Sequence, residues 1–186
     1  LYNFDYNTST WRWTSTTTIM EYPQSVNHMI TVPPQTVHPT RLPLYRLHLP
    51  TYNGIKSLFI GHDVRYPLVQ TSKIKRGQMN INSDKKPIVW YGTSILQGAV
   101  ASRPGMIFTN WISRNINREI FNFGFSGNGI MEIDVAKYLT TIDAGVFIID
   151  CLPNMNASLV LNRTIPLVNY FRSKHRTTPI ILTAGT

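Results

Sequence analysis

A serine follows closely on a short apolar run near the middle of the chain. Residues 88–91 read IVWY, and Gly92 and Thr93 separate this run from Ser94. The run predicts a buried strand, and the Gly-Thr-Ser that follows it predicts an abrupt turn. A hydroxyl at such a position either satisfies the turn or is presented as a nucleophile.

Two further predicted strands end in residues that could take part in the same chemistry. Residues 124–129 read GFSGNG after one strand, and residues 150–154 read DCLPN after the next. Because the carboxyl ends of parallel strands meet at one edge of a sheet, we expect Ser94, Gly127 and Asn154 to lie close together. A nucleophile that attacks an acyl carbonyl needs donors for the oxyanion, and a glycine N–H and a side-chain amide are such donors.

Each of these residues also has an ordinary structural explanation. Ser94 can close a turn or cap a helix, and the glycines can supply a positive φ. Asn154 follows a proline, which fits a turn. The combination at three successive strand ends, rather than any single residue, favours a site for acyl transfer.

The second part of the chain predicts alternating strands and helices. Strands are expected at 87–91, 119–124, 144–150 and 179–184. Apolar residues between them fall at helical spacing, with Pro104 in the first turn of the first helix and Pro166 kinking the third. These residues are Phe108, Trp111, Ile112 and Ile116, then Met131, Val135 and Leu139, then Leu161, Ile165, Val168 and Phe171. The order predicts an α/β fold with a doubly wound parallel sheet.

The first sixty residues predict β structure instead. Strand candidates at 11–13, 28–32, 44–49 and 57–61 are separated by loops rich in proline and threonine, and Asn53-Gly54 predicts a tight turn. Residues 62–86 are polar and basic, as is typical of a linker. We therefore expect a β module at 1–61, a linker at 62–86 and an α/β domain at 87–186.

The three strand-end segments resemble the sequence blocks of the SGNH (GDSL-like) hydrolases. YGTSILQG at 91–98 is similar to the nucleophile block, NFGFSGNG at 122–129 to the glycine block, and IDCLPNM at 149–155 to the asparagine block. The resemblance covers 87–186 and implies a flavodoxin-like SGNH fold in which Ser94 is the nucleophile. It also implies three oxyanion donors: the N–H of Ser94, the N–H of Gly127 and the side chain of Asn154.

The N-terminal part resembles the β-sandwich, jelly-roll-like module that precedes this domain in one branch of the family. The matching pieces are LY at 1–2, WRW at 11–13 and LPTYNGIKSLFIG at 49–61. The resemblance implies that the sandwich is partial, because LY falls inside the opening motif of that module.

The chain departs from the family pattern in two places. Gly-Thr-Ser replaces Gly-Asp-Ser, which leaves the nucleophile unchanged. The Asp-x-x-His block that would supply the general base is absent, since none of the five histidines has an Asp three residues before it. His175 precedes its strand, so we expect it at the opposite sheet edge, as a solvated residue at a helix end. We expect the catalytic His and Asp to lie beyond Thr186, in a chain that is C-terminally truncated.

Composition narrows the classes of partner and cofactor. The chain has 186 residues, of which 42% are hydrophobic, and a formal net charge of +9. Its cations are scattered, so we expect no nucleic-acid partner despite the basic balance. No apolar run approaches the length of a membrane span. The single cysteine, Cys151, excludes an intrachain disulfide and a cysteine zinc cage, and the sequence implies no metal and no cofactor.

The sequence thus predicts a serine esterase of SGNH type, and the resemblance alone suggests that it removes small acyl groups such as acetyl from a carbohydrate. A nucleotide-binding domain is one alternative, although Gly-x-x-Gly-x-Gly at 124–129 differs from the dinucleotide fingerprint. A catalytically inert polysaccharide-binding protein is another, with Trp11, Trp13 and Tyr52 stacking on sugar rings. No signal peptide opens the chain. Sequons at Asn7, Asn156 and Asn162 are compatible with the secreted or extracytoplasmic location that we expect.

Overall fold

The computed structural model describes residues 1–16, 29, 43–64 and 85–184. The chain divides into two units, Leu1–Ile81 and Asn82–Thr186. The strand predicted at 28–32 lies outside the described residues except for Met29, and so does most of the predicted linker. Within the described ranges, no helix is both long and apolar enough to cross a membrane.

The first unit contains a three-stranded antiparallel sheet. Strand β1 (Tyr2–Asp5) lies between β2 (Thr10–Trp13) and β3 (Tyr45–Arg46). A small buried cluster of Phe4, Tyr6 and Leu44 packs beside it. The sequence prediction missed β1 because the polar Asn3 and Asp5 interrupt its apolar pattern.

Two strand predictions in this unit need correction. The strand expected at 44–49 is only two residues long, and residues 57–61 form no strand. The side chain of Phe59 is 91% exposed, and among the residues that the structure describes no strand pairs with this apolar run. Strand propensity mainly reflects packing against neighbours, and an apolar run without a partner therefore does not form a strand.

The second unit is built on a parallel sheet of four strands. These are β4 (Ile88–Gly92), β5 (Ile120–Gly124), β6 (Val146–Asp150) and β7 (Ile180–Leu182), in the order β5-β4-β6-β7. All four predicted strands are confirmed. Gly92 pairs with both Gly124 and Asp150, so three adjacent strands end at the same level. The strand order reverses between β4 and β6, which makes that edge the expected place for a site.

Helices cover both faces of this sheet. They are α1 (Ser94–Gln97), α2 (Phe108–Ile116), α3 (Ile133–Leu139) and α4 (Ala157–Lys174). Tyr91 belongs to the buried core with Leu139 of α3 and Phe171 of α4, whereas its neighbour Trp90 contacts Phe108 of α2, with 5.2 Å between ring centroids. Because successive strand residues point to opposite faces, the predicted doubly wound arrangement is confirmed.

The predicted buried faces of two helices are partly wrong. Trp111 and Ile116 of α2 and Leu161 and Ile165 of α4 are exposed. The buried positions of α2 are instead Thr109 and Ser113. The Thr109 hydroxyl accepts a hydrogen bond from Asn122, and the Ser113 hydroxyl donates one to the Arg118 carbonyl. Polar side chains can occupy buried positions when they are hydrogen-bonded in this way.

Two helix starts also differ from the predictions. Pro104 lies in a separate 3₁₀ turn, Pro104–Met106, rather than in the first turn of α2. Met131 precedes α3 and has a φ of +59°. Its side chain is nevertheless buried in the core, as its place in the apolar pattern indicated.

Candidate active site

Ser94 is the first residue of α1, at the carboxyl edge of the parallel sheet. Strand β4 ends at Gly92, and the buried Thr93 keeps an extended backbone, with φ −97° and ψ −162°. The Thr93 carbonyl then accepts the first helical hydrogen bond, from the Gln97 N–H at 3.0 Å. This strand-turn-helix sequence leaves the Ser94 side chain half-buried at the strand end.

Close backbone packing brings the loop after β5 against the end of β4. The Phe125 N–H donates to the Gly92 carbonyl at 2.9 Å. A Cβ on Gly129 would collide with that same carbonyl, and a Cβ on Gly124 would collide with the backbone of Gln97. Glycine is therefore required at both positions for this approach.

The loop contains a tight turn centred on Ser126 and Gly127. The Asn128 N–H donates to the Phe125 carbonyl at 3.1 Å, and Gly127 has a φ of +72°. Ser126 is not among the residues with positive φ, so the turn is of type II, which requires glycine or asparagine at its third position. A Cβ on Gly127 would meet nothing within 4 Å, so this position lies open.

Asn154 reaches the same turn from the neighbouring strand. It ends the 3₁₀ turn Leu152–Asn154, which follows β6. Its side-chain amide donates to the carbonyl of Asn128, with 2.5 Å between Nδ2 and the oxygen. The amide has a second N–H, which this bond does not use. The structure thus brings Asn154 into direct contact with the residue that follows Gly127.

Two polar side chains that sequence reasoning missed connect α1 to this loop. Gln97 Oε1 accepts the Ser126 N–H at 2.7 Å. Asn122 donates to the Leu96 carbonyl at 2.6 Å and accepts the Gly124 N–H at 3.0 Å. The available signal was polar residues inside otherwise apolar segments, three positions after Ser94 and in the middle of β5.

A second, partly buried polar cluster joins Tyr91 at the end of β4 to Glu132 and to Arg163 of α4. The Tyr91 hydroxyl donates to Glu132, whose carboxylate also accepts the Ile130 N–H at 2.8 Å. Arg163 of α4 donates to the Ile130 carbonyl at 3.0 Å. Burial raises the pKa of Tyr91 far above its usual value, so the phenol stays protonated and remains a donor.

Cys151 follows β6 directly but is not presented for reaction. Its side chain is fully buried, and burial raises the pKa of the thiol to about 12. The thiolate is the nucleophilic form of cysteine. Cys151 is therefore a core residue of the sheet edge, whereas Ser94 is only half-buried.

His175 lies at the opposite, amino edge of the sheet, as predicted. Its Nε2 is 2.9 Å from the Thr140 carbonyl, and its ring centroid is 4.8 Å from that of Phe147. The expectation that it is solvated is wrong, because these contacts leave it only partly exposed. His175 has a packing role and is far along the strands from the residues at the carboxyl edge.

The glycines of the loop serve internal packing more than ligand binding. Gly124 and Gly129 face protein backbone, and only the space beside Gly127 is open. A dinucleotide fingerprint uses its glycines to let the cofactor's phosphates approach the backbone. The geometry therefore offers no specific support for a nucleotide site at 124–129.

Comparison with known proteins identifies a family for the second part of the chain. Residues 85–186 match the model of the GDSL-like Lipase/Acylhydrolase family. No curated protein matches the chain.

Two solved structures are similar to the chain. A protein from Bacteroides ovatus ATCC 8483, described as a GDSL-like lipase, is 50% identical with a TM-score of 0.52, over 53% of this chain and 29% of that protein. AlinE4, an SGNH-hydrolase family esterase, is 17% identical with a TM-score of 0.39, over 53% of this chain and 58% of AlinE4. The chain thus spans less than a third of the Bacteroides protein. Because the family model matches more than half of the 186 residues, the chain belongs to the GDSL-like lipase/acylhydrolase family.

Proposed function

We propose that this protein is a serine esterase in which Ser94 is the nucleophile. One observation carries the proposal: β4, β5 and β6 end in register, so the segments with Ser94, Gly127 and Asn154 share one sheet edge. The hydrogen bond from Asn154 to the Asn128 carbonyl supports the same grouping. Family membership supports hydrolysis of an ester rather than another reaction of a serine.

The proposed reaction has two steps. Ser94 Oγ attacks the ester carbonyl carbon while a base takes the hydroxyl proton, and the carbonyl oxygen becomes an oxyanion. The N–H of Ser94, the N–H of Gly127 and the side-chain amide of Asn154 donate to that oxygen. The alcohol leaves with the proton, an acyl-serine remains, and water then releases the acid.

We also propose that the general base is a histidine outside residues 1–186, in an Asp-x-x-His segment. His175 is the single histidine of residues 82–186, and its contacts to Thr140 and Phe147 hold it at the other sheet edge. Without a base the serine hydroxyl is a weak nucleophile. We therefore expect residues 1–186 alone to hydrolyse aryl acetates poorly.

For the substrate, we propose a small ester such as an acetyl group on a carbohydrate, in an extracytoplasmic setting. The support is the resemblance of the N-terminal segments to a module found beside such hydrolases, and Asn7, Asn156 and Asn162 are all exposed. A carbohydrate-binding protein without catalysis remains the outcome that this proposal must exclude.

The test compares two serine variants in a chain that continues past residue 186 through an Asp-x-x-His. The substrates are p-nitrophenyl acetate and an acetylated xylooligosaccharide. Ser94→Ala should leave only the residual turnover that substrate binding and the oxyanion donors support, a loss on the order of 10³-fold or more. Ser113→Ala removes a buried hydrogen bond of α2 and should leave kcat unchanged.

Three results would overturn parts of the proposal. Equal turnover in wild type and Ser94→Ala excludes Ser94 as the nucleophile. Oligosaccharide binding without acetate release favours the binding protein. Equal activity of residues 1–186 and the longer chain means that the base lies within 1–186, and His62 and His175 are then the first to substitute.

A further inference from the structure

We propose that Gln97 is a positioning residue that sets the direction of the Gly127 N–H relative to Ser94. The inference rests on the proposed esterase function, because it concerns the same oxyanion site. Gln97 acts through the turn at 125–128 and not by contact with the substrate.

Gln97 is held in a fixed relation to Ser94. The two residues are the ends of α1, and the Gly98 N–H closes this helical turn on the Ser94 carbonyl at 3.0 Å. Asn122 fastens the end of α1 to β5 through the Leu96 carbonyl at 2.6 Å. A displacement of the Gln97 backbone would therefore also displace Ser94.

The side chain of Gln97 links α1 to the turn at 125–128 by a hydrogen bond. Its Oε1 accepts the N–H of Ser126, the second residue of the turn, at 2.7 Å. Asn154 holds the far end of the turn through the Asn128 carbonyl. Two peptides lie between these anchors. The Asn128 N–H of one is bonded to the Phe125 carbonyl, and the other carries the Gly127 N–H.

This central peptide has two stable orientations. Type I and type II turns share their end residues but differ by a rotation of the central peptide, which reverses the direction of its N–H. Positive φ at Gly127 gives type II here, and glycine can also adopt the negative φ of type I. Gln97 Oε1 accepts the Ser126 N–H and so restrains the peptide that directly precedes the rotating one. Without it, the Gly127 N–H would divide its time between two directions, and one oxyanion donor would be partly lost.

The first test needs no enzymatic activity and uses residues 1–186. Gln97→Leu keeps the side-chain size but removes the acceptor, and Gln97→Glu keeps an acceptor oxygen. We expect the Ser126 amide to exchange with solvent at least about tenfold faster in Gln97→Leu, with a new or broadened Gly127 amide resonance. Gln97→Glu should keep the wild-type pattern. An unchanged Ser126 and Gly127 signature in Gln97→Leu overturns the inference.

The second test measures kinetics in the longer chain with the Asp-x-x-His segment. We expect Gln97→Leu to lower kcat for p-nitrophenyl acetate by about 10- to 10²-fold, the scale of a misplaced catalytic group, with KM changed less than about twofold. Ser113→Ala, which loses a comparable hydrogen bond elsewhere, should keep both constants. Thermal unfolding of each variant shows whether it is folded.

Failure of the esterase proposal and failure of the proposed role of Gln97 give different results. Ser94-dependent turnover with a wild-type kcat in Gln97→Leu leaves the esterase standing and overturns the role of Gln97. Absence of any Ser94-dependent turnover overturns the esterase, and the exchange measurement on residues 1–186 then still decides whether Gln97 sets the turn.

Discussion

Both edges of the parallel sheet contain hydrogen bonds between side chains and the backbone, but these bonds hold different kinds of structure at the two edges. At the amino edge, Arg172 donates to the carbonyls of His175, Arg176 and Thr178, and Arg118 donates to the Lys86 carbonyl. These bonds satisfy carbonyls at chain reversals. At the carboxyl edge, Gln97 and Asn154 also bond to backbone, but what they hold is a single glycine turn beside Ser94.

The difference predicts how substitutions at the two edges should behave. A side chain that closes a chain reversal contributes to the free energy of unfolding and has no part in the reaction. A side chain that holds a donor beside a nucleophile contributes little to stability but much to kcat, because catalysis depends on geometry more steeply than folding does. Substitutions at the amino edge should therefore lower mainly the free energy of unfolding, and substitutions at the carboxyl edge should lower mainly kcat.

Among the side chains that hold the turn at the carboxyl edge, Asn154→Ala has the largest expected effect. Removal of one oxyanion donor, the role proposed for Asn154, typically lowers kcat by about 10²–10³-fold, and we expect a loss of this size in the chain that continues through the Asp-x-x-His segment. Asn154 is half-buried and its side chain donates to a loop carbonyl, so the free energy of unfolding should change little. Steady-state kinetics with p-nitrophenyl acetate and urea unfolding measure the two quantities.

Asn115→Ala is the matched control for this variant. Asn115 also donates its amide to a backbone carbonyl, that of Trp111 at 2.8 Å, but on the exposed side of α2. It should keep wild-type kcat. If Asn154→Ala kept its kcat as well, Asn154 would be a turn residue and the carboxyl edge would resemble the amino edge.

Arg172→Met tests the amino edge, with an effect on stability alone. Hydrogen bonds to a charged group typically contribute about 1.5–3 kcal/mol, and this substitution leaves three carbonyls without the guanidinium. We expect the free energy of unfolding to fall by an amount in that range, measured by urea denaturation. The kcat of the longer chain should be unchanged, and a loss of kcat without a loss of stability would contradict the separation of the edges.

Much of the fold could be predicted because its signals are local. The strand at 88–92 is a continuous apolar run, and the turn residues after it mark its end. A parallel strand that is covered on both faces is apolar at nearly every position, which makes such strands easy to recognise. The parallel, doubly wound arrangement then followed from the alternation of strands and helices, whereas the strand order β5-β4-β6-β7 came only from the structure.

The helix faces were harder because burial is a tertiary property. Leu161 and Ile165 match helical spacing but are exposed, while Leu167 and Phe171 of the same helix are buried. Spacing identifies a helix without telling which side meets the sheet. Gln97 shows the corresponding limit for the site, because a polar residue in an apolar segment marks position 97 without telling that its partner is residue 126.

The smallest effect concerns Cys151, which lies at a buried strand end beside the one that carries the proposed nucleophile. Burial raises the pKa of its thiol from 9.0 to about 12 in the folded chain. Above pH 9 the unfolded chain therefore loses this proton before the folded chain does, so stability is fully present below pH 9 and declines towards pH 12. The decline from one group cannot exceed about 1.4 kcal/mol per pH unit.

Tyr91 adds a similar decline only above its usual pKa of 10.0. Between pH 9 and 10, urea unfolding should thus show a shallower loss of stability in Cys151→Ala than in wild type. Equal slopes would mean that the thiol ionises freely in the folded chain, and this strand end would then be as accessible as the one that carries Ser94.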